Sequence, residues 1–178
     1  MRQRVTALRV SMPTSQIKIL TTPVLRMALA ALIAFGLDQL SKVVVIHWLD
    51  LASVQSIKVW PPYLNLLMAW NTGVNFGFLS HYDARWLLVV SSVAISLVLI
   101  AWVRNKRGWL LPLATGAVVG GALGNALDRV IYGAVVDFLN MSCCKIHNPY
   151  AFNIADVLIV GGMVVIALGH QTNEVAGK

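Results

Sequence analysis

Two stretches of this chain carry no charged side chain over nearly the full depth of a bilayer. Trp86 to Val103 is eighteen residues long and Trp109 to Leu127 is nineteen. At a helical rise of about 1.5 Å per residue, runs of that length approach the thickness of the hydrocarbon core. Backbone amides in lipid must bond within their own segment, so both runs are predicted to be membrane-spanning helices. Between them, Arg104, Lys106 and Arg107 crowd into one short turn.

Two further spans complete the set. The first has Met27 to Leu37, all apolar or glycine, then the polar patch DQLSK, then VVVI closing on His47 and Trp48. A basic region followed by an apolar core also describes a signal peptide, but the apolar stretch continues past Asp38 and Lys42 to a full membrane length, which favours a retained helix. The fourth, Tyr150 to Gly169, is interrupted only by Asn153 and Asp156. With 58 % hydrophobic and 12 % charged residues, the chain lies outside the soluble globular range. The expected fold is an all-α membrane protein of four transmembrane helices, with a small extracytoplasmic β or amphipathic segment between helices 1 and 2. Its expected parts are a basic cytoplasmic tail (1–23), a four-helix domain (24–170) and a cytoplasmic C-terminal tail (171–178).

The net charge of +7 reflects topology and no nucleic-acid surface, because the basic residues fall at the edges of apolar runs and form no stripe. Under the positive-inside rule the N-terminal tail and the RNKR turn are cytoplasmic, and the connections Leu49 to Arg85 and Asp128 to Pro149 face outward. Trp48, Trp60, Trp70 and Trp86 border the first of these, as suits rings at a membrane interface. Within it, Leu64 to Trp70 shows a weak period of two, consistent with a short strand or amphipathic flap.

An ionised carboxylate at mid-membrane costs roughly 3 kcal/mol, and this chain has only seven acidic residues, so acids inside apolar segments ask for an explanation. Asp137 stands between Val136 and Phe138, and Asp156 lies near the start of the fourth span, three residues after Asn153. The predicted topology brings both to the outer side. Asp156 is open to a plain reading as a carboxylate satisfied by a helix N-terminus; Asp137 has no such local reason.

Two carboxylates crowded where water is scarce cannot both ionise cheaply, so they share one proton and can act as base and acid toward a water and a carbonyl. Peptide hydrolysis on this plan needs no metal, and no His/Glu zinc motif is present. His47, His81, His147 and His170 are scattered and read as surface or interface residues. The adjacent Cys143 and Cys144 have no metal-ligand spacing and read as incidental or structural thiols.

In the third span Gly116, Gly120 and Gly124 form one small-residue stripe that Asp128 continues, and Gly121, Asn125 and Arg129 form the next, so this end of the helix faces packed protein. Structural support and substrate contact remain equally open for Asn125, Asp128 and Arg129. Asp38 and Lys42, at i and i+4 with the acid first, suit a structural ion pair. Other classes remain in view: a proton-coupled transporter would place its acids nearer the midplane, a GxGD-type aspartyl protease lacks its element here, and a non-catalytic assembly factor would tolerate amide replacements.

Taken together, DQLSK (Asp38 to Lys42), NTGVNFG (Asn71 to Gly77), GNALDR (Gly124 to Arg129), VVDF (Val135 to Phe138) and FNIAD (Phe152 to Asp156) resemble the bacterial lipoprotein signal peptidase family, signal peptidase II. The resemblance implies a four-helix aspartic endopeptidase of the bacterial inner membrane that cleaves prolipoproteins just before the diacylglyceryl-modified cysteine. It implies Asp137 and Asp156 as the catalytic pair. Asn71, Asn125, Arg129 and Asn153 would line or brace the site, with Asp38, Lys42, Asp128 and Gly73 in support. No cofactor is expected, and the expected partners are lipid-modified prolipoproteins and membrane lipids, with a monomeric enzyme and no nucleic acid. One departure is visible: Asn75 stands where the family usually has alanine.

Overall fold

A computed structural model describes residues 23–73, 84–106, 108–143 and 148–175, with side chains through residue 169. The N-terminal tail before Pro23, most of NTGVNFG including Asn75, His81, Cys144, His147 and the side chain of His170 lie outside that set. The elements are α1 (Pro23–Val43), a π-helical turn (Val44–Trp48), α2 (Leu51–Val54), β1 (Ser56–Trp60), β2 (Leu64–Asn71), α3 (Ala84–Val103), α4 (Leu110–Tyr132), β3 (Val135–Met141) and α5 (Ile154–Val175).

Three segments are long and apolar enough to cross a membrane: Pro23–Trp48, Ala84–Val103 and Leu110–Tyr132, with mean hydropathies of 1.8, 2.5 and 1.5. They place apolar side chains such as Leu32, Ile33, Val90, Leu97 and Val98 on the outside, where only lipid would accept a continuous surface of this kind. α4 is the central helix, packing against α1, α3 and α5.

Glycine permits that packing. A Cβ at Gly116 or Gly120 would collide with the backbone carbonyl of Met27 or Ala31 in α1, and one at Gly124 would meet the Asp38 carboxylate. Gly121 faces Ala155 and Ile159 of α5, and Gly162 returns the contact toward Ala114 and Val118. The predicted small-residue stripe is therefore the α1 seam, and its neighbour is the α5 seam. At one end of the bundle Arg26 Nη1 donates to the Gly108 carbonyl at 2.8 Å, so the start of α1 and the turn before α4 sit together. The sheet and the polar residues occupy the other end.

The sheet corrects the all-α expectation. It has three antiparallel strands in the order β1-β2-β3; β1 and β2 lie between the first two long helices, and β3 comes from the connection between α4 and α5. The register pairs Ala69 with Asp137 and Asn71 with Val135. Met68, Val136 and Phe138 pack with Val45 and Leu51 in an apolar cluster on one face. Strand alternation then turns Asp137 to the opposite face, toward the helices. Both faces of β3 are covered, which removes the alternation by which a strand is usually read. α4 also runs five residues beyond Leu127, carrying GNALDR within the helix, and α5 continues into residues assigned from sequence to the C-terminal tail.

Candidate active site

The polar end of the bundle is assembled by one long-range pairing. Phe152 forms an isolated antiparallel bridge with Leu139, in which the Phe152 carbonyl accepts from the amides of Phe138 and Leu139 at 3.0 and 2.8 Å. The residue after it, Asn153, caps α5. Its Oδ1 accepts from the Asp156 amide at 2.9 Å, and Asp156 Oδ2 accepts from the Asn153 amide at 3.2 Å. This reciprocal arrangement is a capping box with aspartate at the third helical position. The bridge thus sets the start of α5 beside β3, and the cap fixes where Asp156 points.

Asp137 and Asp156 enter one hydrogen-bond network. Asn153 Nδ2 donates to Asp137 Oδ1 at 2.6 Å and to Asn125 Oδ1 at 3.0 Å. Asn125 Nδ2 donates to Asp156 Oδ1 at 2.9 Å. Asn71 Nδ2, at the end of β2, donates to Asp137 Oδ2 at 2.9 Å, while its Oδ1 accepts from the Gly73 amide at 2.9 Å. Gly73 has φ +77° and lies against Leu88 and Arg129, a position that disfavours a side chain on both counts. Every oxygen of both carboxylates therefore accepts from a fixed N–H.

Their surroundings differ. Asp137 is only 2 % exposed, and burial drives its pKa up from 3.8 to about 6; the Asp156 charge adds to the rise, while the bonds from Asn71 and Asn153 and the charge of Lys42 oppose it. Asp156 is half-buried and lines an apolar groove of about 490 Å³ with Phe152, Val157, Val160 and Gly161. A second groove of about 300 Å³, between α4 and α5, shares Val157 and Gly161 with the first. One carboxylate is enclosed, and the other fronts an open apolar groove.

Beneath this layer lies a buried ionic one. Lys42 Nζ is 2.7 Å from both Asp38 Oδ2 and Asp128 Oδ2. Asp38 Oδ1 accepts from the Ala155 amide in the first turn of α5 at 3.0 Å. Asp128 Oδ2 accepts from the Val136 amide of β3 at 3.1 Å. The Asp38–Lys42 pair expected from spacing thus reaches α4, β3 and α5 at once. Arg129 donates to the Asn125 carbonyl at 3.2 Å, and its buried Nε finds no hydrogen-bond partner among the described residues.

All ten residues singled out from sequence converge on this end of the molecule. Two contributors were missed. Gln39, inside DQLSK, donates to Asp38 Oδ2 at 3.1 Å and to Asp128 Oδ1 at 3.0 Å; its place in a polar patch within an apolar span was the available signal. Asn140 donates to the carbonyls of Asn148 and Tyr150 at 2.8 and 2.9 Å, tying the end of β3 to the approach to α5, and nothing local distinguishes it.

Comparison with known proteins agrees with this architecture. Two solved structures described as bacterial membrane enzymes, determined by the in meso method at 2.3 and 1.9 Å resolution, align with TM-scores of 0.69 and 0.70 at 24 % and 26 % identity. They cover 85 % and 80 % of this chain and 91 % and 90 % of their own. The lipoprotein signal peptidase of Rhodopseudomonas palustris is 38 % identical over 150 residues, spanning 82 % of this chain and 91 % of its own. That of Methylorubrum extorquens is 40 % identical over 146 residues, spanning 80 % and 84 %. The family model described as Signal peptidase (SPase) II matches residues 30–171, and this chain belongs to that family of membrane-embedded aspartic endopeptidases.

Proposed function

We propose that this signal peptidase removes the signal peptide of diacylglyceryl-modified prolipoproteins by water attack between Asp137 and Asp156. The observation that carries the assignment is that Asn153 and Asn125 bind both carboxylates into one network while Asp137 is enclosed and Asp156 lines the open groove. Asp137, enclosed and shifted upward, holds the proton. Asp156, at a helix N-terminus with two N–H donors, is the ionised base. It takes a proton from a water as the water oxygen attacks the carbonyl carbon, and Asp137 gives a hydrogen bond and then its proton to the carbonyl oxygen. Collapse of the tetrahedral intermediate breaks the C–N bond, with Asp156 returning a proton to the departing nitrogen and Asp137 recovering its own. No step requires a metal.

The groove in front of Asp156 suits a substrate arriving from within the bilayer, whose acyl chains supply binding energy away from the scissile bond. α5 is the fourth span in this reading: its 22 residues extend about 33 Å as a helix. The termini and the turn before α4 are cytoplasmic, and the sheet and site lie at the outer face, where the exposed Trp48, Trp60, Trp70 and Trp86 meet the interface. The protein acts as a monomer, and Asn71, Gly73 and Arg129 brace the site.

Purified enzyme in detergent is expected to cleave a diacylglyceryl-modified prolipoprotein, to leave the unmodified precursor intact and to be indifferent to a chelator. Equal cleavage of both precursors would refute recognition through the lipid, and loss on chelation would refute a metal-free dyad.

The pH dependence follows from Asp137. In the free enzyme the alkaline limb of kcat/KM is expected near pH 6, as the shared proton is lost, and the limb for kcat higher, because bound substrate excludes more water. The stability linkage has the sign of a raised carboxylate: protonation of Asp137 favours the fold fully below 3.8, and that contribution is lost as the pH rises through about 6. A kcat/KM profile with no ionisation in this region would contradict the assignment of the proton to Asp137.

A further inference from the structure

The network around the dyad has a direction, and the direction is enforced from below. A backbone N–H cannot be turned round, so the Asp156 amide fixes Asn153 with its Oδ1 toward α5 and its NH2 toward Asp137 and Asn125. Asn125 must then present its oxygen to Asn153. The same oxygen also accepts from Lys42 Nζ at 3.2 Å. Flipping the Asn125 amide would set its NH2 against an ammonium and a second NH2 together, three donors with no acceptor. In the observed orientation its NH2 can only face Asp156 Oδ1.

We infer that Lys42 is a positioning residue for the reaction: by holding the Asn125 oxygen it aims the Asn125 amide donor at Asp156 and keeps that carboxylate the ionised partner of the pair. This rests on the dyad reading above. Lys42 Nζ bonds to Asp38, Asp128 and Asn125 and not to the catalytic pair, yet its charge lies close enough to act on Asp137. The other charged groups around it are Asp38 on its own helix, Asp128 on α4, which each approach it to 2.7 Å, and Arg129, whose guanidinium interacts electrostatically with Asp128, Asp137 and Asp156. Asp38 and Asp128 carry two negative charges against the single positive charge of Lys42, so the ammonium is held in place by carboxylates and has one remaining direction, toward Asn125.

A lysine that only supported the fold would affect melting but leave the pH profile of the folded enzyme alone. The experiment therefore compares Lys42→Met, Lys42→Arg, Asn125→Asp and the Lys42→Met/Asn125→Asp double variant for kcat, KM and the acidic limb of kcat/KM, with thermal melts in detergent. Asn125→Asp is the decisive variant because it keeps the acceptor for Lys42 and Asn153 and replaces the donor to Asp156 with a second carboxylate oxygen. It is expected to melt lower than the wild type, because an acceptor now faces Asp156 Oδ1, and in the folded protein to lose about 100-fold in kcat with KM unchanged and to move the acidic limb to higher pH. Lys42→Met is expected to shift the limb the same way, Lys42→Arg to restore it, and the double variant to lose no more than Asn125→Asp alone, since both act through one contact. A wild-type kcat and limb in Asn125→Asp, or additive losses in the double variant, would overturn the inference even if Lys42→Met fails to fold. Activity surviving in Asp137→Asn or Asp156→Asn would instead overturn the dyad.

Discussion

Asp137→Asn and Asp156→Asn are each expected to lower kcat at least about 10³-fold, within the range assigned to a positioned acid or base, and the double variant is expected to lose little more than either alone, because the two carboxylates act on one water and one carbonyl. The change is isosteric but not silent for the fold. Both oxygens of Asp137 accept from amide NH2 groups of Asn71 and Asn153, and both oxygens of Asp156 accept from Asn125 and the Asn153 backbone. An asparagine at either place puts a donor against a donor, a loss of about 1–3 kcal/mol in stability. Cleavage must therefore be read in single turnover on protein whose melt has been checked. Near-normal turnover in a folded single variant would remove that residue from the chemistry.

Much of this site could be read before any coordinates, for local reasons. Helical spacing alone put Gly116, Gly120, Gly124 and Asp128 on one seam, and α1 packs there. The i, i+4 relation of Asp38 and Lys42 gave their ion pair, and the Asn153-to-Asp156 interval places the acid in the first turn of α5. The chain hides what depends on distant partners. VVDFLN shows no alternation, because Val136 and Phe138 face the cluster under the sheet while Asp137 is enclosed by α4 and α5. The Phe152–Leu139 bridge, which brings the two aspartates together, is a single pair with no motif of its own. Motif resemblance identified Asp137, but only the strand explains why it can be so deeply buried: its neighbours in sequence anchor the opposite face.

The ionic layer offers the second large effect, on stability. Asp38→Ala is expected to destabilise the protein by about 3–5 kcal/mol, the range for breaking a buried ion pair by removing one partner. Asp38 is 0 % exposed and satisfies three donors: Lys42 Nζ at 2.7 Å, Gln39 Nε2 at 3.1 Å and the Ala155 amide at 3.0 Å. Losing it strands an amide in the first turn of α5 and leaves Lys42 with Asp128 as its one carboxylate partner, so α1, α4 and α5 lose their common tie. Asp38→Asn keeps the volume and one acceptor, so it should fall between wild type and alanine. Activity should decline with the folded fraction, since α5 carries Asp156. The check is a thermal melt in detergent beside cleavage at a temperature where the wild type is fully folded: an Asp38→Ala protein that melts with the wild type would show that the Lys42–Asp128 pair suffices to hold the three helices together.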